Sequence, residues 1–151
     1  MEKRLVYYDE KLAAMGQAHP ECQRLQTIPG IGPVSATALL AAIGEATQFK
    51  TGCQLAAWLG LVPREHSTGG KPRLLGVSKR GHIYLRKLLV HGARATLRWI
   101  DTKNDERSRW LRALIARRGK NRAAVALANK NAQMVWALLA PDQEYPARVP
   151  A

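Results

Sequence analysis

Five residues, Pro29-Gly30-Ile31-Gly32-Pro33, restrict this chain more than any other stretch. They interrupt a run from residue 25 to residue 40 whose apolar spacing otherwise suits a helix. Proline fixes φ and has no N–H, so neither Pro29 nor Pro33 fits inside a helical ladder. Pro33 does suit the first position of a new helix, where the missing N–H has no partner to lose. Glycines at 30 and 32 can take positive φ and leave the backbone bare. The stretch therefore predicts a short helix over 21–28, a tight turn, and a second helix from Pro33 to about Ile43, stopped by Gly44. Val34, Ala38, Ala41 and Ala42 are the expected small-residue face on which these helices close.

Free N–H groups and the positive dipole end at the start of the second helix form a ready anion site. Residues 22–44 are thus expected to form a helix-hairpin-helix that grips nucleic-acid backbone, with Gly30 and Gly32 as the contact points. A glycine-rich corner with no ligand is the alternative. Charge favours the first reading. The chain has 24 Lys and Arg against 11 Asp and Glu, a net charge of +13. Residues 1–61 are balanced, and the whole excess lies in 62–151. A basic excess confined to one part of a chain points to a polyanion partner, most often nucleic acid.

Other classes are disfavoured. Cys22 and Cys53 have no Cys-x-x-Cys spacing and are expected to be buried thiols in a reducing, cytoplasmic setting. His19, His66, His82 and His91 are too scattered to suggest a metal site. No run of about 18 apolar residues suggests a membrane span, and the start lacks the apolar core of a signal peptide.

Residues 1–19 form a linker-like helix with Leu5, Tyr8, Leu12 and Met15 on one stripe, a face that needs a partner. Thr51 is placed to cap a short helix ending near Leu59. Residues 60–81 then hold five glycines, two prolines and five Lys or Arg side chains with one acid. This is a basic loop too long for an idle connector, with room for a short β-ribbon around residues 73–77. Helical periodicity returns over 82–140, with starts at His82, at Asp101 or Asp105, and at Asn121. Residues 142–151 are a tail. The expected fold is all-α: five or six helices in one domain over 20–141, broken by one basic, glycine-rich loop.

Chemistry, if present, centres on Glu65-His66-Ser67-Thr68-Gly69-Gly70-Lys71. A hydroxyl beside two glycines can be approached by a large substrate. Lys71, Arg73, Lys79 and Arg80 could neutralise a phosphate under attack. The same residues also suit a plain linker. Ser78-Lys79-Arg80-Gly81 is a second phosphate-gripping candidate, with Ser78 as the expected cap of the next helix. Trp58, Trp99, Trp110 and Trp136 all fall on apolar stripes and are expected in the core.

Residues 25–40, Ala57-Trp-Leu-Gly-Leu-Val-Pro63, residues 66–71, Ser78-Lys-Arg-Gly81, Tyr84-Leu-Arg86, residues 88–93 and Ala128-Asn-Lys130 follow in one order. As a set they resemble the C-terminal domain of the DEDD-type transposases of insertion sequences, relatives of the pilin-gene invertase Piv. The resemblance spans roughly residues 15–145. It implies that Ser67, or as a weaker alternative Thr68, is a nucleophile that becomes linked to a DNA 5′ phosphate. It implies nucleic-acid contacts at Gly30, Gly32, Lys71, Arg73, Lys79, Arg80 and Arg86. It implies DNA as partner, with a structured guide RNA and a RuvC-like acidic domain, or a second copy, as further partners. No cofactor is expected in this chain, and Mg²⁺ is expected only with that acidic domain. As the sequence starts at Met1 without it, the chain is expected to be a truncated form inactive alone. The alternative is a non-catalytic helix-hairpin-helix module that binds nucleic acid.

Overall fold

The computed structural model describes residues 2–65, 69–70, 74–77 and 80–140. Seven α-helices are described, the first within residues 1–19 and six within 20–141, which meets the upper expectation for that domain. In order they are α1 (Glu2–Ala18), α2 (Pro20–Gln26), α3 (Pro33–Ile43), α4 (Gly52–Trp58), α5 (Ile83–Leu97), α6 (Glu106–Arg118) and α7 (Lys120–Leu139). Two short strands, β1 (Pro63–Glu65) and β2 (Leu74–Val77), pair antiparallel, Pro63 opposite Val77 and Glu65 opposite Leu74. The fold is all-α with one ribbon inside the glycine-rich loop.

Local signals set most helix ends. Pro33 opens α3, and Gly44 closes it with φ of 59°. Thr51 caps α4, its hydroxyl accepting from the Gln54 N–H at 3.3 Å. Asp105, not Asp101, caps α6, with a carboxylate oxygen 3.1 Å from the Ser108 N–H. The cap of α5 corrects the expectation for Ser78. The helix starts at Ile83, and His82 Nδ1 accepts from the Leu85 N–H at 3.4 Å.

The core gathers around α7, which packs on α4, α5 and α6. Leu25, Leu39, Leu55, Leu59, Leu85, Leu89, Leu111, Leu127 and Val135 are completely or almost completely buried. Each such leucine contributes about 1.5–3 kcal/mol by leaving water. The buried face of α3 is Ser35, Ala36, Leu39 and Ile43. That corrects the expected face, since Val34, Ala41 and Ala42 are exposed. The helix is apolar nearly all round, so its pattern selected no single side. Cys22 is buried as expected, and burial, with Glu21 nearby, pushes its thiol pKa up. Cys53 is exposed instead.

Helix α1 meets the rest of the fold near its C-terminal end, where buried Gly16 lies against Pro33 and Gln26. Of the expected apolar stripe, Leu12 is half-buried, while Leu5, Tyr8 and Met15 remain exposed together with Val6 and Tyr7. None of the described helices is long and apolar enough to cross a membrane.

Candidate nucleic-acid interface

The turn between α2 and α3 is fixed from two sides. Gly30 has φ of 94°, and a Cβ there would sit 2.7 Å from the Gly92 carbonyl oxygen and 2.9 Å from Thr96 Oγ1. A Cβ on Gly92 would in turn run into the Gly30 carbonyl. Two glycines therefore let the hairpin backbone rest directly on α5. From the other side, the Asn131 amide on α7 donates to the Pro29 carbonyl at 3.1 Å.

Gly32 is different. Its backbone is extended, with φ of −93°, and a Cβ there would meet nothing within 4 Å. The expected positive φ therefore holds for Gly30 only. Gly32 is exposed at the N-cap of α3, so the bare backbone faces outward at the positive end of the helix dipole.

The ribbon is rooted at the junction of α4 and α5. Gly60 and Gly81 bring their backbones together there, and a Cβ on Gly81 would lie 2.6 Å from the Gly60 nitrogen. The His82 N–H donates to the Trp58 carbonyl at 3.3 Å, and their rings are 5.6 Å apart. Arg86 Nη1 donates to the Arg80 carbonyl at 3.2 Å and the Gly60 carbonyl at 3.5 Å. The Asn129 amide on α7 donates to the Leu61 carbonyl at 3.0 Å. Of the predicted contacts, Arg86 thus clasps the root of the loop, and Arg80 is exposed beside it. Gly69 and Gly70, both at positive φ, are exposed with open space around them. Ser67, Thr68, Lys71, Arg73, Ser78 and Lys79 lie outside the described residues.

Between the two glycine contacts runs α5, which carries no acidic residue. Tyr84, Lys87, His91, Arg94 and Arg98 recur every three or four residues, and all are exposed. That spacing lines them along one ridge. At 1.5 Å per residue the ridge is about 21 Å long, near the axial span of six phosphates on one strand at about 3.4 Å each. The ridge starts at the root of the ribbon and ends beside the hairpin. Sequence analysis predicted helical periodicity over 82–140 but named none of these five residues as a nucleic-acid contact.

Two tryptophans correct the expectation of burial. Trp136 is buried, its indole N–H donating to the Phe49 carbonyl at 2.9 Å. Trp110 is half-buried under Lys130, whose ammonium lies 4.0 Å from the ring centre. Burial lowers the Lys130 pKa, as does Arg107, with Glu106 opposing. Trp58 is 37% exposed and Trp99 64% exposed. Asn129, Lys130 and Asn131 thus anchor the ribbon root, α6 and the hairpin from adjacent positions on α7. Among the described residues, no three His, Cys, Asp or Glu side chains form a group that could hold a metal ion.

Fold and surface define a class first: a basic, all-helical domain that presents its cations on an exposed ridge beside a glycine hairpin. Comparison with known proteins then gives the family. The sequence model described as "Transposase IS116/IS110/IS902 family" matches residues 22–116, and the chain belongs to that family. It is 54% identical over 138 residues to the transposase for insertion sequence element IS1111A of Coxiella burnetii, covering 91% of this chain and 38% of that protein. It is 53% identical to a probable family 20 transposase of Pseudomonas aeruginosa, covering 96% of this chain and 43% of that protein. A pilin gene-inverting protein of Moraxella bovis is 47% identical over 45 residues, 30% of this chain and 14% of that protein. The chain spans about two-fifths of the length of the first two relatives.

Proposed function

We propose that this chain is the DNA-holding segment of an insertion-sequence transposase, with Ser67 as its nucleophile. The ridge on α5 carries the reading: an acid-free helix exposes cations at regular spacing between two backbone loops of the kind that admit phosphates. In this reading phosphates lie along Lys87, Arg94 and Arg98, and one meets the backbone at Gly32 and the start of α3. The hairpin acts as a helix-hairpin-helix, independent of base sequence. Gly30 supports it from beneath by resting on α5, while Gly32 offers the open face. Lys71, Arg73, Lys79 and Arg80 extend the cationic track along the ribbon, and Arg86 holds its root.

The chemistry follows from family membership and from the residues around the ribbon. The Ser67 hydroxyl oxygen attacks a phosphodiester, a Ser–O–P bond forms to the 5′ phosphate, and the P–O3′ bond breaks. The departing 3′ oxygen takes up a proton, the serine having lost one. Exposed Gly69 and Gly70, two and three residues on, support access to that hydroxyl. Thr68 is the weaker alternative, since its β-methyl crowds the attack. A RuvC-like acidic domain supplies a cluster of carboxylates, of which none is found among the described residues. The exposed stripe of Leu5, Tyr8 and Met15 on α1 supports a joining surface for it. A structured guide RNA is a further proposed partner.

The test uses a full-length transposase carrying this segment, incubated with end-labelled DNA and Mg²⁺ and run on a denaturing gel. A protein–DNA adduct is expected, lost in Ser67→Ala and retained in Thr68→Ala, with DNA binding nearly unchanged in both. An adduct that survives Ser67→Ala contradicts the assignment.

A further inference from the structure

The ridge on α5 runs out at Trp99, and a cleft of about 440 Å³ opens there. Gly92, Thr96 and Trp99 follow one another at four and three residues, on the side of α5 that meets the hairpin. The floor of the cleft is apolar, formed by buried Ile100 and Leu111, and Pro29 and Gly30 form one wall. Lys103, Arg107 and Asp105 line it with Trp99. An indole left 64% in water, over an apolar floor and beside two cations, has no role in the core.

The surrounding turn is firmly held. Arg112 Nη1 donates to the carbonyls of Ile100, at 2.8 Å, and Lys103, at 2.9 Å. Asp105 is fixed by the Ser108 N–H, and Arg107 reaches Met134 Sδ at 3.5 Å. The backbone turn that follows Trp99 is thus pinned by side-chain hydrogen bonds.

We infer that this cleft receives one unpaired base of the DNA strand lying along α5, stacked against Trp99. The inference rests on the DNA-holding reading above and adds to it a preference for unpaired DNA. A flat aromatic face accepts any base, since every base has a π-face. Lys103 and Arg107 meet the flanking phosphates, and the cleft is large enough for a nucleobase. The ridge leads backbone directly to the cleft, which is why DNA is assigned as the source of the base.

The test measures binding of the 151-residue chain to three duplexes: fully paired, with one unpaired terminal nucleotide, and with that nucleotide abasic. The unpaired base should tighten binding by about ten-fold, the scale of one stacking contact, and the abasic version should lose that gain. Trp99→Ala should abolish the preference while leaving paired-duplex affinity within about two-fold, and Trp99→Phe should keep most of it. Since the side chain is exposed, neither variant should impair folding, which far-UV circular dichroism checks. Equal binding of all three duplexes by the unaltered protein overturns the inference and leaves the DNA-holding reading standing. Binding of none overturns both. A fourth duplex, with a ribonucleotide as its unpaired residue, checks the source of the base: a preference shown only with it overturns the assignment to DNA.

Discussion

Gly92→Ala is the most exacting probe of the fold, because two physical effects predict opposite signs. In an ordinary helix interior, replacing glycine with alanine stabilises by about 0.8–1 kcal/mol. Gly92 lies inside α5, so propensity alone favours the substitution. In the structure, however, a Cβ at this position runs into the Gly30 carbonyl. The obstacle is backbone rather than the tip of a flexible side chain, so the hairpin has to lift off α5. Overpacking of this kind costs about 1–3 kcal/mol and sometimes more. Lifting the hairpin also lengthens the Asn131–Pro29 hydrogen bond. The net expectation is a loss of about 1–2 kcal/mol, or a fall in melting temperature of roughly 2–8 °C for a chain of this size. Gly32→Ala is the control: its Cβ meets nothing within 4 Å, so stability should change by less than about 1 kcal/mol. Urea and thermal unfolding, followed by far-UV circular dichroism, measure both. Gly92→Ala as stable as the parent, or more so, would refute the backbone contact and the hairpin placement built on it.

Asn131→Ala should destabilise by about 1–3 kcal/mol, because it leaves the Pro29 carbonyl without its buried donor; chemical denaturation measures it. Asp105→Ala should lower the melting temperature and Asp105→Asn should lower it less, since asparagine also caps helices. The hydrogen bonds from Ser108 hold the Asp105 carboxyl below its ordinary pKa. Its contribution is therefore present above the ordinary carboxylate range and is lost as pH falls through the lowered value. A stability–pH profile of Asp105→Asn should lack that part of the acid sensitivity. Gly32→Ala should weaken DNA binding in a filter or anisotropy assay despite its small effect on stability, because the added methyl stands on the open face of the hairpin.

Several features were legible in the sequence because their causes are local. Pro33, Gly44, Thr51 and Asp105 act within one turn of themselves, and each ends or starts a helix where its chemistry predicts. The ribbon follows from a glycine-rich stretch that cannot be helical. The buried face of α3 was not legible, because an almost wholly apolar helix has no preferred side until its neighbours are in place. Trp99 occupies an apolar position of the α5 repeat, yet the helix ends before it and turns the indole outward. Asn129 and Asn131 bond to carbonyls 68 and 102 residues away. Nothing in their neighbourhood along the chain marks them. His82 replaced Ser78 as the cap of α5 because the close contact of Gly60 and Gly81 delays the helix. The candidate site was thus visible as glycines and charges, and the ridge joining them only in three dimensions.

The central claim is that the exposed face of α5 binds nucleic-acid backbone, and the salt dependence of affinity tests it most directly. Each phosphate neutralised contributes roughly 0.9 to the slope of log affinity against log salt on duplex DNA. Titrations of a short duplex at salt concentrations from about 50 to 200 mM should give a steep slope for the unaltered chain. Replacing Lys87, Arg94 and Arg98 with alanine should flatten that slope by about two to three units, whatever the DNA sequence. Replacing Lys3 and Lys11 on α1 should leave it unchanged. A slope unaltered by the ridge substitutions, or flattened equally by those on α1, would contradict the account.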